Sequence, residues 1–177
     1  LIDRLELPDE LREGARQAAK LFPLVVPQAF LARMRRGDAA DPLLRQVLPI
    51  GAEAGEAPPG FSVDPVGESG AMQAAGMLQK YHGRALLIVA GVCAVGCRYC
   101  FRRHFPYDES PSSLSQWQPA IDAIKESSDL EEIILSGGDP LMRSDEWLVA
   151  LVTQLEKISH LRRLRIHTRL PIVIPDR

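Results

Sequence analysis

The second half of the chain alternates apolar runs with amphipathic stretches. Continuous apolar runs of this length are typical of strands that are buried on both faces of a sheet. Residues 85–90 (ALLIVA) form such a run. Residues 132–135 (EIIL) are interpreted as a second strand and 164–166 (LRI) as the start of a third, with 172–174 as its candidate extension. Residues 115–127 and 145–158 lie between the runs and place apolar side chains at helical spacing. The order strand, helix, strand, helix, strand predicts right-handed crossovers and a parallel sheet.

The first half of the chain has shorter helical patterns, separated by prolines and glycines. Helices are predicted over residues 8–22, 28–36 and 43–48. Residues 51–70 are rich in Gly and Pro, which is typical of a linker. The predicted organisation is therefore an N-terminal helical region and linker over 1–70, followed by an α/β region over 71–177.

Composition and charge are those of an ordinary globular domain. Of the 177 residues, 46% are hydrophobic and 25% are charged, and the formal net charge is −2. Such a weak net charge gives no general attraction to nucleic acid or to an acidic membrane. The longest apolar run, 85–95, is about half the length that a membrane-spanning helix needs. No basic segment followed by an apolar one opens the chain, so no signal peptide is expected.

Three cysteines lie within eight residues of one another. They are Cys93, Cys97 and Cys100, in the spacing C-x3-C-x2-C. An odd, clustered set is a poor disulfide framework and favours metal ligation in a reducing compartment, so a cytoplasmic protein is predicted. Thiolates on such a loop can bind three irons of a 4Fe–4S cube and leave the fourth iron open.

Two other interpretations of the cysteines stay open. Together with His104 they could form a Cys3His zinc site, or they could be small thiols that pack as hydrophobic side chains. The strand predicted directly before Cys93 and a glycine-rich turn after the next strand favour the iron–sulfur interpretation.

That turn consists of Ser136, Gly137, Gly138, Asp139 and Pro140. Paired glycines at the end of a strand let a ligand approach the main chain. Taken alone, the same residues also make an ordinary tight turn. Because ligands of parallel sheets bind at the carboxyl ends of the strands, the turn and the cysteine loop are expected at the same edge.

The cysteine spacing resembles that of radical S-adenosylmethionine (SAM) enzymes. Longer segments, spread over nearly the whole chain, resemble the lysine 2,3-aminomutase family. They are residues 41–49 (DPLLRQVLP), 81–84 (YHGR), 93–105 (CAVGCRYCFRRHF), 135–141 (LSGGDPL) and 165–171 (RIHTRLP). Residues 101–107 (FRRHFPY) are most similar to the bacterial branch that makes (R)-β-lysine for the modification of elongation factor P.

The resemblance implies a fold, a chemistry and a set of cofactors. The fold is the first half of a partial (β/α)6 radical SAM barrel. SAM binds the open iron, and one electron from an external donor releases a 5′-deoxyadenosyl radical. With pyridoxal phosphate (PLP), the radical allows the amino group of L-lysine to move from Cα to Cβ, so the protein would be an isomerase with a small-molecule substrate. A homo-oligomer is a further expectation.

The resemblance also gives the SAM-binding residues by position. Tyr99 matches the residue that the superfamily places against the adenine. The glycine-rich motif that holds the methionyl amino group of SAM is matched by Ser136, Gly137, Gly138 and Asp139. In this motif, the carboxylate of Asp139 would accept a hydrogen bond from the ammonium group.

The substrate and PLP positions follow in the same way. Arg102 matches the arginine that holds the substrate α-carboxylate; its alternative roles are a solvated surface position or a structural ion pair. Tyr81 and Arg84 match positions near the PLP phosphate, with ordinary surface positions as the alternative. His167 could line the SAM or PLP pocket, or could be a core histidine.

One part of the family pattern is missing from the sequence. The PLP-anchoring lysine and the acids that select lysine lie in the C-terminal part of longer family members, and none of the four lysines here has that context. The chain is therefore expected to be an N-terminal fragment or a truncated homologue. The residues present leave the substrate open between lysine, glutamate and arginine, and a zinc-stabilised binding module is the alternative from another class.

Overall fold

The computed structural model describes residues 1–56 and 58–176. Within them the α-helices are α1 (Leu11–Ala18), α2 (Gln28–Leu31), α3 (Gln118–Glu126), α4 (Asp145–Leu155) and α5 (Leu170–Val173). The strands are β1 (Met72–Ala74), β2 (Met77–Tyr81), β3 (Arg84–Ala90), β4 (Glu132–Gly137) and β5 (Arg163–Ile166). Short 3-10 turns cover Asp3–Leu5, Leu44–Gln46, Gly51–Ala54, Ser69–Ala71, Tyr107–Glu109, Leu114–Trp117 and Pro140–Met142. No helix among these residues is long and apolar enough to cross a bilayer.

The chain folds into two compact units, neither of which is one continuous segment. Unit 1 contains Leu1–Pro65, Ala94–Arg103 and the segment from Leu170 onward. Unit 2 contains Val66–Cys93 and His104–Arg169. The ten residues that carry Cys97 and Cys100 therefore fold with the N-terminal region of the chain.

Unit 2 is built on a five-stranded sheet in the order β1-β2-β3-β4-β5. The pairs β3–β4 and β4–β5 are parallel, and α3 and α4 are the crossover helices between them. The predicted strand–helix order and the α/β class are confirmed, and a sheet of this kind is consistent with the first part of a radical SAM barrel. The sequence analysis missed β1 and β2, which add an antiparallel edge to the sheet.

The core of unit 2 lies between the sheet and helices α3 and α4. Because side chains alternate across a strand, every second residue of β3 and β4 faces these helices. The buried side chains are Ala85, Leu87, Val89, Ile133 and Leu135 from the strands, packed with Trp117, Ile121, Ile124, Leu151 and Leu155. Ile88 of β3 is also buried, in a separate cluster with Leu78 and Ala71. Burial on both faces is the reason that β3 is apolar after its first residue, Arg84.

The predicted extension of the third strand is wrong, because residues 172–174 do not form a strand. The helix α5 covers this region instead, and its buried residues are Leu170 and Val173, spaced as on one face of a helix. Pro171 has no N–H and would remove a hydrogen bond from a sheet, whereas the first turn of a helix tolerates proline.

The helices of unit 1 are shorter than the patterns that predicted them. Residues 8–22 yield α1, residues 28–36 yield α2, and residues 43–48 yield only the 3-10 turn Leu44–Gln46. The guanidinium of Arg33 donates a hydrogen bond to the carbonyl oxygen of Ile172 in α5. Short helices of this kind are marginal by themselves and depend on such tertiary contacts.

A glycine between β1 and β2 gives a test of this hairpin. Gly76 has φ +74°, and a Cβ there would lie 2.7 Å from Pro111 Cδ and 2.8 Å from Trp117 Cη2. Gly83 is the matched control, since its φ is +77° but the nearest atom would be 3.8 Å away. We expect Gly76→Ala to lower the free energy of unfolding by about 2 kcal/mol more than Gly83→Ala, because overpacking adds to the shared backbone strain. Urea unfolding followed by circular dichroism measures both; equal losses would contradict the packing shown.

Candidate functional site

The predicted glycine-rich turn lies at the carboxyl end of β4, directly beside the end of β3. The N–H of Gly138 donates to the carbonyl oxygen of Ala90 at 2.7 Å, and the N–H of Asp139 donates to that of Val92 at 2.9 Å. A Cβ on Gly137 would lie 2.4 Å from Ala90 O, and one on Gly138 would lie 2.3 Å from Val92 O. Glycine is thus needed at both positions because the main chain of β3 and of the residues directly after it lies so close. This contact does not by itself indicate space for a ligand.

Asp139 is buried, with 4% of its surface exposed. Its carboxylate links the segment after β4 to the segment after β5 by hydrogen bonds. Oδ1 accepts from the N–H of Leu141 at 3.0 Å and from the hydroxyl of Thr168 at 2.6 Å. Oδ2 accepts from the N–H of Arg169 at 2.7 Å. A carboxylate has about four acceptor sites, so three protein donors leave little capacity for a ligand ammonium group.

The three cysteines are divided between the two units. Cys93 is exposed and follows β3 in unit 2, whereas Cys97 and Cys100 are half-buried in unit 1. None of them is in a disulfide. In residues 1–56 and 58–176, no three His, Cys, Asp or Glu side chains form a metal-holding group. The residue types nevertheless fit an iron–sulfur cluster, since cysteine thiolate is its usual ligand.

The segment Ala94–Arg103 makes its unit 1 contacts with the N-terminal region. The N–H of Gly96 donates to Val25 O at 2.8 Å, and a Cβ on Gly96 would lie 2.7 Å from Pro23 O. Tyr99 is exposed, and its hydroxyl donates to Gln46 Oε1 at 3.1 Å. The predicted adenine-contacting side chain is therefore accessible and is oriented by a glutamine from the 3-10 turn before it.

Comparison with known proteins gives the family. The sequence model of the radical SAM superfamily matches residues 87–175, which is half of the chain. The chain belongs to the radical SAM superfamily. This confirms the resemblance that the cysteine spacing and the glycine-rich turn indicated.

Several curated relatives of the chain are L-lysine 2,3-aminomutases. This chain is 56% identical over 173 residues to the L-lysine 2,3-aminomutase of Escherichia coli. The matched region covers 98% of this chain and 50% of that protein. The chain is 50% identical over 177 residues to the L-lysine 2,3-aminomutase of Haemophilus influenzae, covering all of this chain and 52% of that protein. The enzyme of the same name from Clostridium subterminale is 31% identical over 174 residues. The chain spans about half the length of the curated relatives it matches.

The residues matched to the substrate and to PLP differ in their surroundings. Arg102 is 7% exposed, and its guanidinium lies over the ring of Phe101, with Cζ 4.8 Å from the ring centroid. Tyr81, at the end of β2, is exposed. His167 is also exposed, and its backbone N–H donates to Leu135 O at 2.9 Å, so it is not a core histidine.

A buried carboxylate that the sequence analysis did not single out lies beside Arg84. Glu132 begins β4, is 3% exposed, and has Arg84, Arg163 and Arg165 within ion-pair distance at 3.8, 3.6 and 2.6 Å. Its Oε1 has no hydrogen-bond partner among the described residues, so the closest contact, to Arg165, is an ion pair without hydrogen-bond geometry. The alternation of Arg163 and Arg165 along β5 was the available signal, because it places both on the face of Glu132.

Proposed function

We propose that this chain is part of a radical SAM isomerase that interconverts L-α-lysine and β-lysine by 1,2-amino migration. The observation that carries the proposal is identity of 56% and 50% to two L-lysine 2,3-aminomutases over nearly the whole chain. The retention of Cys93, Cys97 and Cys100 in a C-x3-C-x2-C motif supports it. We further propose a cytoplasmic protein that forms a homo-oligomer and takes electrons from an external donor. Supply of (R)-β-lysine for elongation factor P is the finer part of the proposal, supported by residues 101–107.

When bound, a 4Fe–4S cluster and SAM supply a 5′-deoxyadenosyl radical. The task of this chain is to provide three thiolate ligands and to orient the groups around them. Tyr99, held by Gln46, would present its ring to the adenine. Ser136, Gly137, Gly138 and Asp139 would border the methionyl group at the end of β4. Asp139 fixes this border by hydrogen bonds to Thr168 and Arg169.

PLP is part of the proposal through the family resemblance. Tyr81 and Arg84 are the candidate contacts for its phosphate, with His167 as a candidate pocket residue. Of the lysines, Lys80 donates to Val66 O and Lys125 pairs with Asp122 at 3.0 Å, and neither has the context of the family's PLP lysine. No residue of this chain is assigned to the PLP aldehyde.

Anaerobic reconstitution of the iron–sulfur cluster in the full-length protein tests the proposal. We expect iron and sulfide to bind together, an iron–sulfur charge-transfer absorbance, and an electron paramagnetic resonance signal of the reduced protein that SAM perturbs. Mass spectrometry should then detect β-lysine formed from L-lysine. Zinc without sulfide would support the binding-module alternative instead, and product from only glutamate or arginine would move the substrate assignment.

The proposed carboxylate contact predicts the behaviour of Arg102→Lys. A guanidinium can make two parallel charged hydrogen bonds to a carboxylate, which an ammonium cannot reproduce. The carboxylate does not react, so the contact with Arg102 would persist through the reaction. Loss of this contact would misplace Cβ relative to the adenosyl radical, and a misplacement of about 1 Å can cost roughly 100-fold in rate. We expect normal iron content and SAM cleavage, with β-lysine formation about 100-fold slower.

The matched control for this prediction is Arg36→Lys, whose guanidinium is exposed and pairs with Glu6. It should turn over lysine like the wild type. Loss of iron in Arg102→Lys would instead assign Arg102 a structural role. Wild-type turnover in that variant would leave Arg98 or Arg103 as the better candidate for the carboxylate.

A further inference from the structure

The segment around Cys97 and Cys100 is anchored at its centre by Arg98. The guanidinium of Arg98 forms an ion pair with Glu53, in which Nε donates to Oε1 at 2.5 Å. About a fifth of each of these two side chains is exposed. Glu53 belongs to the 3-10 turn Gly51–Ala54 and lies 45 residues before Arg98 in the sequence. A half-buried, charge-assisted contact of this kind is stronger than an exposed one, because solvent screens it less.

Arg98 is fixed by its main chain as well as by its side chain. Its N–H donates to Gln46 O at 2.9 Å, and its carbonyl oxygen accepts from Arg103 Nη2 at 2.6 Å. Its Nη1 also donates to Arg45 O at 3.3 Å. Every one of these partners lies in unit 1, so the backbone between the two cysteines is held against the N-terminal turns.

The 3-10 turn Leu44–Gln46, which accepts the N–H of Arg98, is held at its start by the side chain of Asp41. Asp41 is buried, and its Oδ1 accepts from the N–H groups of Leu43 and Leu44, both at 2.9 Å. Burial acts to raise the pKa of this carboxyl, but the backbone N–H donors outweigh burial, so the pKa lies below its usual value. The same turn carries Gln46, which also orients Tyr99. The N-terminal region therefore contacts both residues that separate Cys97 from Cys100.

We propose that Glu53 is a positioning residue of the cluster site: through Arg98 it fixes the backbone between Cys97 and Cys100. The inference rests on the proposed function in one respect, namely that these thiols ligate iron. A ligand loop that is held in place before iron arrives loses less conformational freedom on binding. Residues that orient metal ligands from behind typically change metal affinity or activity about 10- to 100-fold when they are replaced.

The test is iron retention in the whole protein carrying Glu53→Gln. Glutamine keeps the shape and one oxygen acceptor of Glu53 but removes its charge. After anaerobic reconstitution, we expect iron loss to an excess of chelator to be about 10-fold faster than in the wild type. The matched control is Glu6→Gln, since the ion pair of Glu6 with Arg36 lies at 3.1 Å but is mostly exposed. The control should lose iron at the wild-type rate.

A charge exchange separates positioning from a general loss of structure. The double variant Glu53→Arg, Arg98→Glu keeps an ion pair with reversed polarity and should restore most of the iron retention. Melting of the iron-free proteins is measured in parallel. If Glu53→Gln is unfolded and the exchanged variant folds without regaining retention, Glu53 is structural and the inference is overturned.

The remaining outcomes distinguish the two proposals. If the wild type binds iron and sulfide and Glu53→Gln retains them equally long, the inference fails while the proposed function stands. If the wild type binds no iron with sulfide, the proposed function fails, and the positioning role fails with it.

Discussion

Replacement of Cys97 by alanine should abolish reductive cleavage of SAM. Cys97 is the central cysteine of the C-x3-C-x2-C motif, and a cube that leaves one iron open for SAM needs the other three held by thiolates. With two thiolates, a second iron would be open and the cube would be lost to solvent or chelator. We expect 5′-deoxyadenosine formation in the presence of a strong reductant to fall to the level of protein-free buffer. Iron and sulfide per chain should fall with it.

Cys97→Ser is the matched variant for this experiment. Serine keeps the size of the side chain, and its hydroxyl is a poor substitute for a thiolate toward iron. If Cys97 is a ligand, both variants lose the cluster, whereas a packing role would be rescued by serine. Retained 5′-deoxyadenosine production in Cys97→Ala would refute the assignment of this residue to the cluster.

Replacement of Asp139 by alanine should destabilise the chain by about 3 kcal/mol. The change removes the acceptor of three hydrogen bonds at once and leaves the half-buried donors at Leu141, Thr168 and Arg169 without it. An unsatisfied buried donor costs about 1–3 kcal/mol, and the partial access of these donors to water, together with relief of the buried charge, offsets part of the sum. The midpoint of urea unfolding, followed by circular dichroism, measures the loss.

Asp139→Asn and Asp122→Asn complete that measurement. In Asp139→Asn the amide nitrogen faces the N–H of Arg169, so donor meets donor and only part of the stability should return. Asp122 is half exposed and pairs with Lys125. Solvent screens an exposed pair of this kind, so Asp122→Asn should leave the midpoint almost unchanged. If Asp139→Ala unfolds like the wild type but SAM binding is lost, the carboxylate acts mainly on the ligand.

The apolar pattern by itself was enough to predict β3, β4, β5 and the helices between them. The strands β3 and β4 are covered by helices, and a strand buried on both faces must be apolar. The four residues of β5 are exposed, so the prediction that the third strand is buried on both faces is wrong. The three cysteines and the glycine-rich turn could also be recognised from the sequence, because metal ligation and close backbone approach restrict residue types at fixed short spacings. Their roles toward iron and SAM stay predictions.

The hairpin of β1 and β2 and the end of the chain were decided by tertiary contacts. The strand β1 has three residues and none of them is buried, so its sequence carries no periodic apolar pattern. Residues 172–174 are apolar enough for a strand, but Pro171 and the buried pair Leu170 and Val173 favour the helix α5.

The partners of the candidate site were also beyond the sequence pattern. Gly137 and Gly138 were identified, but not the main chain of β3, which they must approach. Asp139 was identified, but not its hydrogen bonds to Thr168 and Arg169, about 30 residues away. Glu53 was placed in a linker, although it pairs with Arg98. Spacing rules describe neighbours within a few residues, whereas these contacts join residues that only the folded backbone brings together, and this is the physical reason that the structure alone could assign them.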